Sequence, residues 1–444
     1  MNPDPRQFHT LGLEELGTSP GSLGVSPHND ASDSSPSLSG EGPFSRYGVE
    51  IEYAVVDKDS LDVRPVVDEL FDQVSGSYDA FEHDDITWSN ELVGHVLKLR
   101  LTEPSVSLEG IAERFQGDVQ YANAKLAGLD CRLLPTGMHP WMEPSAETVL
   151  WKHRDREVCE AYNRIFNCRR HGWANVQSAQ LILPFANDEE FRRLHSAIRL
   201  LLPLMPALAA SSPYAESSAT GSLDTRMKVR RTNSEAIPSM AGHFVPELIL
   251  NRSQYEQEIL HRVYRDILPH DPDHVLGNRW VNARGAIARF EHNTIEIRTL
   301  DAQECPAADL AIFQFIVAVL KRLVDESICP LEHQEEASLL RLAMEFRNVV
   351  RTGRSAEITD KMMLRAFGHP DAEGITAGQI WTELLERIPV DESAAWRGPI
   401  EMILCEGCLA ERIVRAGGAH PDVGSLREFY QKLATCLARG QMFE

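Results

Sequence analysis

Hydrophobic and polar residues alternate in the first strongly patterned stretch of the chain, residues 47–56 (YGVEIEYAVV). This period of two predicts a β-strand with one face in the core. The polar face carries Glu50 and Glu52, which point to the same side because residues two apart share a face. A solvated strand face would explain two neighbouring acids. So would a bound Mg²⁺ ion, which prefers oxygen ligands and relieves the repulsion between carboxylates.

Three further segments have the composition of strands, namely residues 90–101, 173–185 and 286–300. In the last of these, a His-Asn pair is suited to the turn of a hairpin. Segments 107–129 and 187–210 have the three- and four-residue spacing of helices. The second begins with a capping Asn or Asp and with acids in its first turn.

Most of the chain from Ala307 onward is predicted to be helical. The predicted helices cover 307–327, 334–351, 376–387, 397–416 and 424–438. Strands with hairpin or irregular connections, followed by bunched helices, predict an α+β fold with a mainly antiparallel sheet. We expect the acidic strands to line one face of this sheet and helices to cover the other.

Composition restricts the class of partner. The 444 residues are 43% hydrophobic and 25% charged, with a formal net charge of −22. Nucleic acid and anionic membranes bind basic surfaces, so neither is expected here. No apolar run reaches the roughly 18 residues of a membrane-spanning helix, and no signal-peptide pattern is present, so we expect a cytoplasmic protein. Residues 1–44, rich in Ser, Gly, Pro and Asp, are predicted to be a disordered leader before a single domain over 45–444.

The eight cysteines are scattered along the chain, as is typical of reduced thiols. Cys405 and Cys408 form one C-x-x-C pair inside a helical-looking run. Without a second pair or a nearby histidine, we interpret them as small residues one turn apart on one helix.

Three other places could carry chemistry. In the segment TIEIRTL, Glu296 and Arg298 share a strand face, which suits either a metal-bound phosphate or a plain salt bridge. His139 lies in the turn-rich GMHPW stretch, as a ligand, an acid–base group or a hydrogen-bonded loop residue. A polar segment over 210–239 is predicted to be a long loop, whose arginines, including Arg226 and Arg230, could receive substrate carboxylates.

Seven motifs, in this order, resemble the carboxylate–amine ligase family, the bacterial type-2 glutamate–cysteine ligases. The resemblance runs from about Tyr47 to about Arg439. The motifs are GVEIEY, WSNELVGHV, TGMHPWMEP, AYNRIFNCRRHGWANVQS, MPALAASSP, NARGAIARF and EIRTLDAQECPAADLAI.

Membership would imply a funnel-like antiparallel sheet related to that of glutamine synthetase, with ATP and Mg²⁺ bound inside it. ATP would phosphorylate the side-chain carboxylate of glutamate, and the amine of a second amino acid, typically cysteine, would then displace phosphate. The implied partners are therefore glutamate, an amino acid or amine, and ATP. The chain would be a monomer or a homodimer.

The resemblance also implies roles for individual residues. The expected metal ligands are Glu50, Glu52, Glu91 and Glu296, and Arg298 would contact the transferring phosphoryl group. Lys98, which departs from the family pattern, is a second candidate catalytic residue. Substrate would be bound by Arg226, Arg230 and His139. Nucleotide would be bound by Arg298, Gln180 and Asn282.

Two departures from the family pattern bear on activity. Lys98 stands where the family has a second glutamate, seven residues after Glu91, and Gln180 and Ile182 stand where it has His-x-Asn. Residues seven apart on an unbroken strand face opposite sides, so a bulge near Gly94 is expected. A lysine beside Mg²⁺ changes the local charge by two units.

Several functions remain open after these departures. Lys98 could replace one metal ion, or it could point outward. The protein could make γ-glutamylcysteine, or it could join glutamate to another amine. It could also be a degenerate homologue with a binding or regulatory role. A metal-dependent amidohydrolase using His139 and the acids is a further alternative, although its histidines lack ligand spacing.

Overall fold

The computed structural model describes residues 40–276, 281–389, 394–418 and 421–443. Most of the leader predicted over residues 1–44 lies outside these described residues.

An antiparallel sheet of eight strands forms the centre of the described structure. The strands of the chain are β1 (Gly48–Asp57), β2 (Phe81–His83), β3 (Ile86–Asn90), β4 (Val96–Leu101), β5 (Cys131–Leu134), β6 (Ser178–Pro184), β7 (Tyr214–Ala215), β8 (Ser218–Ala219), β9 (Ala286–Arg289), β10 (Thr294–Asp301), β11 (Glu357–Ile358) and β12 (Ile375–Thr376). The order in the large sheet is β2-β3-β4-β1-β6-β10-β9, and β5 pairs with the end of β1. Strands β7 with β8 and β11 with β12 form small separate ladders.

Helices pack around this sheet and make up most of the C-terminal half. The helices are α1 (Val67–Ser75), α2 (Ile111–Leu126), α3 (Pro144–Glu147), α4 (Arg156–Phe166), α5 (His171–Ala174), α6 (Asp188–Leu201), α7 (Pro206–Ala209), α8 (Thr225–Arg230), α9 (Arg252–Tyr255), α10 (His261–Ile267), α11 (Pro306–Val324), α12 (Leu331–Glu336), α13 (Leu339–Thr352), α14 (Lys361–Ala366), α15 (Ala377–Arg387), α16 (Arg397–Glu406), α17 (Leu409–Gly417) and α18 (Val423–Arg439). The predicted α+β class, with a mainly antiparallel sheet and a helical C-terminal part, is confirmed.

The two faces of β1 differ as its alternation predicts. Ile51 and Tyr53 are fully buried in the main core, which includes residues of α2, α6 and α11. Hydrophobic burial on this face supplies the driving force that holds the sheet against its helices. On the other face, Ala54 packs in a second cluster with residues of α17 and α18, while Glu50 and Glu52 lie further along the strand. The C-terminal helices therefore cover one end of the polar face.

The segment 90–101 is a hairpin rather than one long strand. β3 ends at Asn90, and β4 begins at Val96 and pairs antiparallel with β3. Glu91 lies in the turn and Lys98 on the returning strand. The expected bulge at Gly94 is therefore wrong, because a change of chain direction brings the two residues together instead.

Three other predicted segments differ in detail. The helix predicted over 187–210 is broken after α6 by a 3-10 turn at Leu202–Leu204 that contains Pro203. The loop predicted over 210–239 contains α8. The C-x-x-C pair does not lie on one helix, because Gly407, with a φ of 113°, separates Cys405 on α16 from Cys408 at the start of α17. Within the described residues, no helix is both long and apolar enough to cross a bilayer.

The cap of α6 provides a test of the local sequence signal. The Asn187 side chain accepts hydrogen bonds from the backbone N–H groups of Glu189 and Glu190, as the sequence predicts. We expect Asn187→Ala to lower the free energy of unfolding by about 1 kcal/mol, because these N–H groups lose their acceptor. Urea unfolding followed by circular dichroism measures this. Asn187→Asp keeps the acceptor oxygen and should lose much less; equal losses in both variants would contradict the capping role.

Candidate active site

Four neighbouring strands, β4, β1, β6 and β10, bring the candidate residues onto one face of the sheet. Across the ladders the opposed pairs are Glu52 with Lys98, Glu50 with Gln180, and Ile182 with both Gly48 and Glu296. Residues more than one hundred positions apart in sequence are thus neighbours in the sheet. We call this set of side chains the acid face, defined by Glu50, Glu52, Glu91, Lys98, Gln180, Glu296 and Arg298.

Lys98 lies among three of the acids. Its Nζ is 2.5 Å from Glu91 Oε1 and 3.4 Å from Glu50 Oε2, and its strand position is directly opposite Glu52. Burial by itself would lower the pKa of Lys98, but the carboxylates of Glu91, Glu50 and Glu52 raise it well above its usual value. Lys98 is therefore charged and points into the acid face, so the alternative of an outward lysine is wrong.

Glu52 is held by hydrogen bonds from β6. Its carboxylate accepts bonds from the Ser178 backbone N–H at 2.8 Å, from Ser178 Oγ at 3.0 Å and from Gln180 Nε2 at 3.1 Å. Burial and the nearby Glu91 carboxylate raise the pKa of Glu52. The amide of Gln180 uses its other end as an acceptor, since Arg298 Nε lies 3.3 Å from Gln180 Oε1. Gln180 thus joins an acid on β1 to an arginine on β10.

A β-bulge positions Arg298. Ile297 pairs with Leu181 and Leu300 pairs with Ala179, so Arg298 and the residue after it together lie opposite Gln180. Such a bulge adds one residue to a strand and redirects its side chains. Arg298 Nε also lies 2.8 Å from Glu296 Oε1, as strand alternation allows for residues two apart.

Glu296 is paired with two arginines. Besides Arg298, Arg289 on β9 places its Nε 3.6 Å from Glu296 Oε2. Burial alone would raise the pKa of Glu296, but Arg298, Arg289 and Lys98 lower it, so the carboxylate is ionised. The shared strand face of Glu296 and Arg298, as well as their salt bridge, agrees with the sequence pattern.

Arg226 on α8 already has partners within the protein. It is fully buried, and its Nε lies 2.5 Å from Asp301 Oδ1. The other oxygen of Asp301 accepts hydrogen bonds from the backbone N–H of Ser211 and from Ser212 Oγ. Arg226 Nη1 and Nη2 each lie 3.4 Å from the Arg298 carbonyl oxygen. Arg226 therefore anchors α8 to the bulge of β10 and leaves little capacity for a substrate carboxylate.

Arg230 lies one turn after Arg226 on α8 and is differently placed. Within the part of the chain that the structure describes, its guanidinium forms no hydrogen bond or ion pair. Burial, with the repulsion of Arg298 and Arg226, lowers the pKa of Arg230 to about 9. An anion bound beside Arg230 would be stabilised by this unbalanced positive charge.

Two other candidates have structural partners. His139 is buried; its Nε2 lies 2.7 Å from the Leu61 carbonyl oxygen, and its Nδ1 accepts the Met142 backbone N–H. Both ring nitrogens are thus engaged within the fold, and burial lowers the pKa of His139 to about 4. The side chain of Asn282 donates to the hydroxyl of Tyr255 at 2.7 Å. Neither side chain joins the acid face.

The four predicted metal ligands do not form a metal site of their own. Among the described residues, no group of three or more His, Cys, Asp or Glu side chains is arranged to hold a metal ion. The reason is visible in the contacts. Glu50 and Glu91 are paired with Lys98, Glu52 is hydrogen-bonded to β6, and Glu296 is paired with arginines. The acids lie on one face of the sheet but do not come together as one group of metal ligands, and protein groups compensate their charges.

Sequence reasoning missed three residues that shape this region, namely Ser178, Arg289 and Asp301. Ser178 lies two positions from Gln180 on β6, so strand alternation could have suggested it. Asp301 lies three positions from Arg298 on β10, so alternation would not have suggested it. The pairing of Arg289 with Glu296 depends on the β9–β10 hairpin, which the His-Asn turn did indicate.

A family model for glutamate-cysteine ligase family 2 matches residues 46–432, which covers all of these strands. The chain belongs to this family. The chain is also similar to an uncharacterized protein of Archaeoglobus fulgidus. The two are 35% identical over 280 residues, which are 63% of this chain and 75% of that protein.

Two solved structures share the fold of this family 2 member. A glutamate–cysteine ligase from Francisella tularensis, in complex with AMP, has a TM-score of 0.58 at 12% identity, with 91% of this chain and 90% of that chain covered. A bifunctional glutathione synthetase from Pasteurella multocida has a TM-score of 0.52 at 15% identity. That match covers 88% of this chain and 52% of the bifunctional protein. At these identities the likeness shows the fold.

The Asp301–Arg226 anchor leads to a stability prediction. A Cβ added at Gly137 would collide with the buried Asp301 carboxylate, which three partners hold in place. We expect Gly137→Ala to lower the free energy of unfolding by about 1–3 kcal/mol, as overpacking does. Gly117→Ala on α2, where a Cβ meets nothing within 4 Å, should instead raise it by roughly 0.5–1 kcal/mol. Urea unfolding of both variants checks this, and an unchanged Gly137→Ala protein would show that the anchor is loose.

Proposed function

We propose that this family 2 protein is an ATP-dependent ligase that joins the side-chain carboxyl of glutamate to an amine, with cysteine as the first acceptor to test. The observation that carries the proposal is the Arg298 guanidinium, fixed by Glu296 and Gln180 on an acid face built from distant strands. The AMP complex of the Francisella tularensis ligase, whose fold is shared, supports a nucleotide as one ligand.

The proposed reaction has two steps. The terminal phosphoryl group of ATP passes to the glutamate side-chain carboxylate, giving an acyl phosphate and ADP. The amine nitrogen then attacks the acyl carbon, the C–O bond to phosphate breaks, and the amine loses a proton as the amide forms. Phosphoryl transfer needs charge stabilisation and positioning more than it needs an acid or base. Arg298, preorganised by Glu296 and Gln180, would donate to the oxygens of the transferring group.

ATP would arrive with Mg²⁺ on its phosphates, and Mg²⁺ in such complexes uses only one or two protein carboxylates. Glu50 is the acid best placed to contact that ion, because its ion-pair partner among the described residues, Lys98, is as far away as 3.4 Å. Glu52, Glu91 and Glu296 already have closer partners. In this proposal one glutamate contacts the ion, instead of the four that the family resemblance implies.

Arg230 is the residue we propose for the substrate carboxylate. Among the described residues its guanidinium forms no ion pair, whereas the guanidinium of Arg226, on the same helix, is paired with Asp301. A main-chain carboxylate of glutamate would give Arg230 an ion-pair partner, which it lacks among the described residues. Arg226 then acts as a positioning residue, which fixes α8 and thereby the direction of Arg230.

A second candidate is a homologue that binds nucleotide or amino acid without turnover. The observation favouring it is Lys98, whose ammonium forms ion pairs with two of the predicted metal ligands. Nucleotide binding would persist in such a protein, while phosphoryl transfer would lose part of its charge stabilisation.

Release of ADP tests the ligase. We expect ADP to form only when glutamate and one amine from a panel, including cysteine, are both present. Arg298→Gln should lower this rate on the order of 10²- to 10³-fold, the usual effect of removing one preorganised donor. The exposed Arg415→Gln, whose arginine pairs with Glu406, is the matched control and should not change it. Binding of nucleotide or amino acid by calorimetry, without turnover on any amine, would favour the second candidate, and binding of neither would reject both.

The role of Arg230 is tested separately. Arg230→Met should raise the KM for glutamate about tenfold or more, because a charged hydrogen-bonded pair contributes about 1.5–3 kcal/mol. The KM for ATP should change little. Lys228→Met, on the exposed side of the same helix, is the control. Equal effects of Arg230→Met on both KM values would contradict a contact specific to the substrate carboxylate.

A further inference from the structure

The Lys98 ammonium occupies the position that a cation would need in order to bridge the acids of β1 and the β3–β4 turn. It contacts Glu91 at 2.5 Å and Glu50 at 3.4 Å, and it lies opposite Glu52 in the ladder. Hard divalent ions bind where carboxylates from different segments converge in this way. Here the converging carboxylates already surround a fixed positive charge.

The position of Lys98 is set by the backbone, not by chance contact of a flexible side chain. Lys98 lies in the middle of β4, between β1 and β3, with both ladders in regular register. Its side chain is only 17% exposed, against 48% for Lys58 in a surface pair with Asp130. A metal ion at the same place would lie against the ammonium and would be repelled by it.

The charges at the opposite end of the acid face are compensated in the same way. Glu296 is paired with Arg298 and Arg289, so this end has two fixed cations for one acid. Between the two ends, Glu52 is satisfied by Ser178 and Gln180. A metal ion held by the protein alone would have to displace one of these partners.

We infer that Lys98 is a built-in replacement for a divalent metal ion, so that the Glu50–Glu52–Glu91 end of the acid face binds no metal in the free protein. When a nucleotide binds, the ammonium contacts the phosphate oxygens and offsets their negative charge in place of that ion. The second statement rests on the proposed function, and the first does not. The nucleotide would consequently carry a single divalent ion into the site.

Binding of Mn²⁺ to the nucleotide-free protein, followed by the electron paramagnetic resonance signal of free Mn²⁺, tests the first statement. We expect no specific site in the unmodified protein. Lys98→Met removes the ammonium that joins the Glu50 and Glu91 carboxylates, so it should gain one Mn²⁺ site per chain, at least tenfold tighter than any in the unmodified protein. Lys58→Met removes the surface lysine paired with Asp130 and should gain none. Lys98→Arg keeps the charge and should also gain none.

Protein stability gives a second measurement. Removing the ammonium leaves neighbouring acids uncompensated, so Lys98→Met should unfold at a lower temperature than the unmodified protein. Mn²⁺ should restore its unfolding temperature, because an ion that binds only the folded state stabilises it, and should have no such effect on Lys58→Met. If Lys98→Met does not fold under any condition, the Mn²⁺ titration of the unmodified protein tests the inference. A Mn²⁺ site that Glu91→Gln abolishes overturns the inference, and the lack of one supports it.

The nucleotide-bound state tests the second statement. With a non-hydrolysable ATP analogue, the unmodified protein should bind one Mn²⁺ per nucleotide and Lys98→Met should bind two. Two ions per nucleotide in the unmodified protein overturn the replacement, as does a Lys98→Met protein that binds no more Mn²⁺ than Lys58→Met. Failure to bind any nucleotide would count against the proposed function, while the titration of the free protein would still decide the role of Lys98.

Discussion

Charge compensation on one face of the central sheet is the constraint on which this region of the protein depends. Four glutamates from β1, the β3–β4 turn and β10 converge there, and buried carboxylates close together cannot all remain ionised without partners. Lys98, Arg298 and Arg289 supply positive charge, and β6 supplies hydrogen bonds to Glu52. The acid face is therefore balanced by the protein itself.

Two irregularities of the backbone create this balance. The β3–β4 hairpin returns Lys98 to the side of Glu91, and the bulge of β10 places Arg298 opposite Gln180. A regular strand from Glu91 to Lys98 would not make the first contact, since residues seven apart on one strand face opposite sides. Arg226 stabilises the second irregularity through Asp301 and the Arg298 carbonyl oxygen. The positions of Lys98 and Arg298 thus depend on these two backbone features.

Much of the fold followed from local patterns, because those patterns report burial. The alternation of β1, the His-Asn hairpin and the cap at Asn187 are all present in the structure. The family also agrees with the sequence motifs, and the acids of β1 and β10 lie on the same face of the sheet. The hairpin at 90–101 was not foreseen, since a short run of apolar residues has the same composition in a strand and in a tight turn between strands.

Residue types and their order determined which groups could meet: acids on alternate positions of β1, an acid and an arginine on β10, and a lysine after Glu91. Tertiary structure alone decided what those groups do. It engages His139 and Arg226 in contacts within the fold and leaves Arg230 without an ion pair among the described residues. It also places the Lys98 ammonium, instead of a metal ion, among the acids. The physical reason is that the state of a charged side chain depends on its neighbours within a few ångströms. Those neighbours come from segments that sequence spacing does not connect.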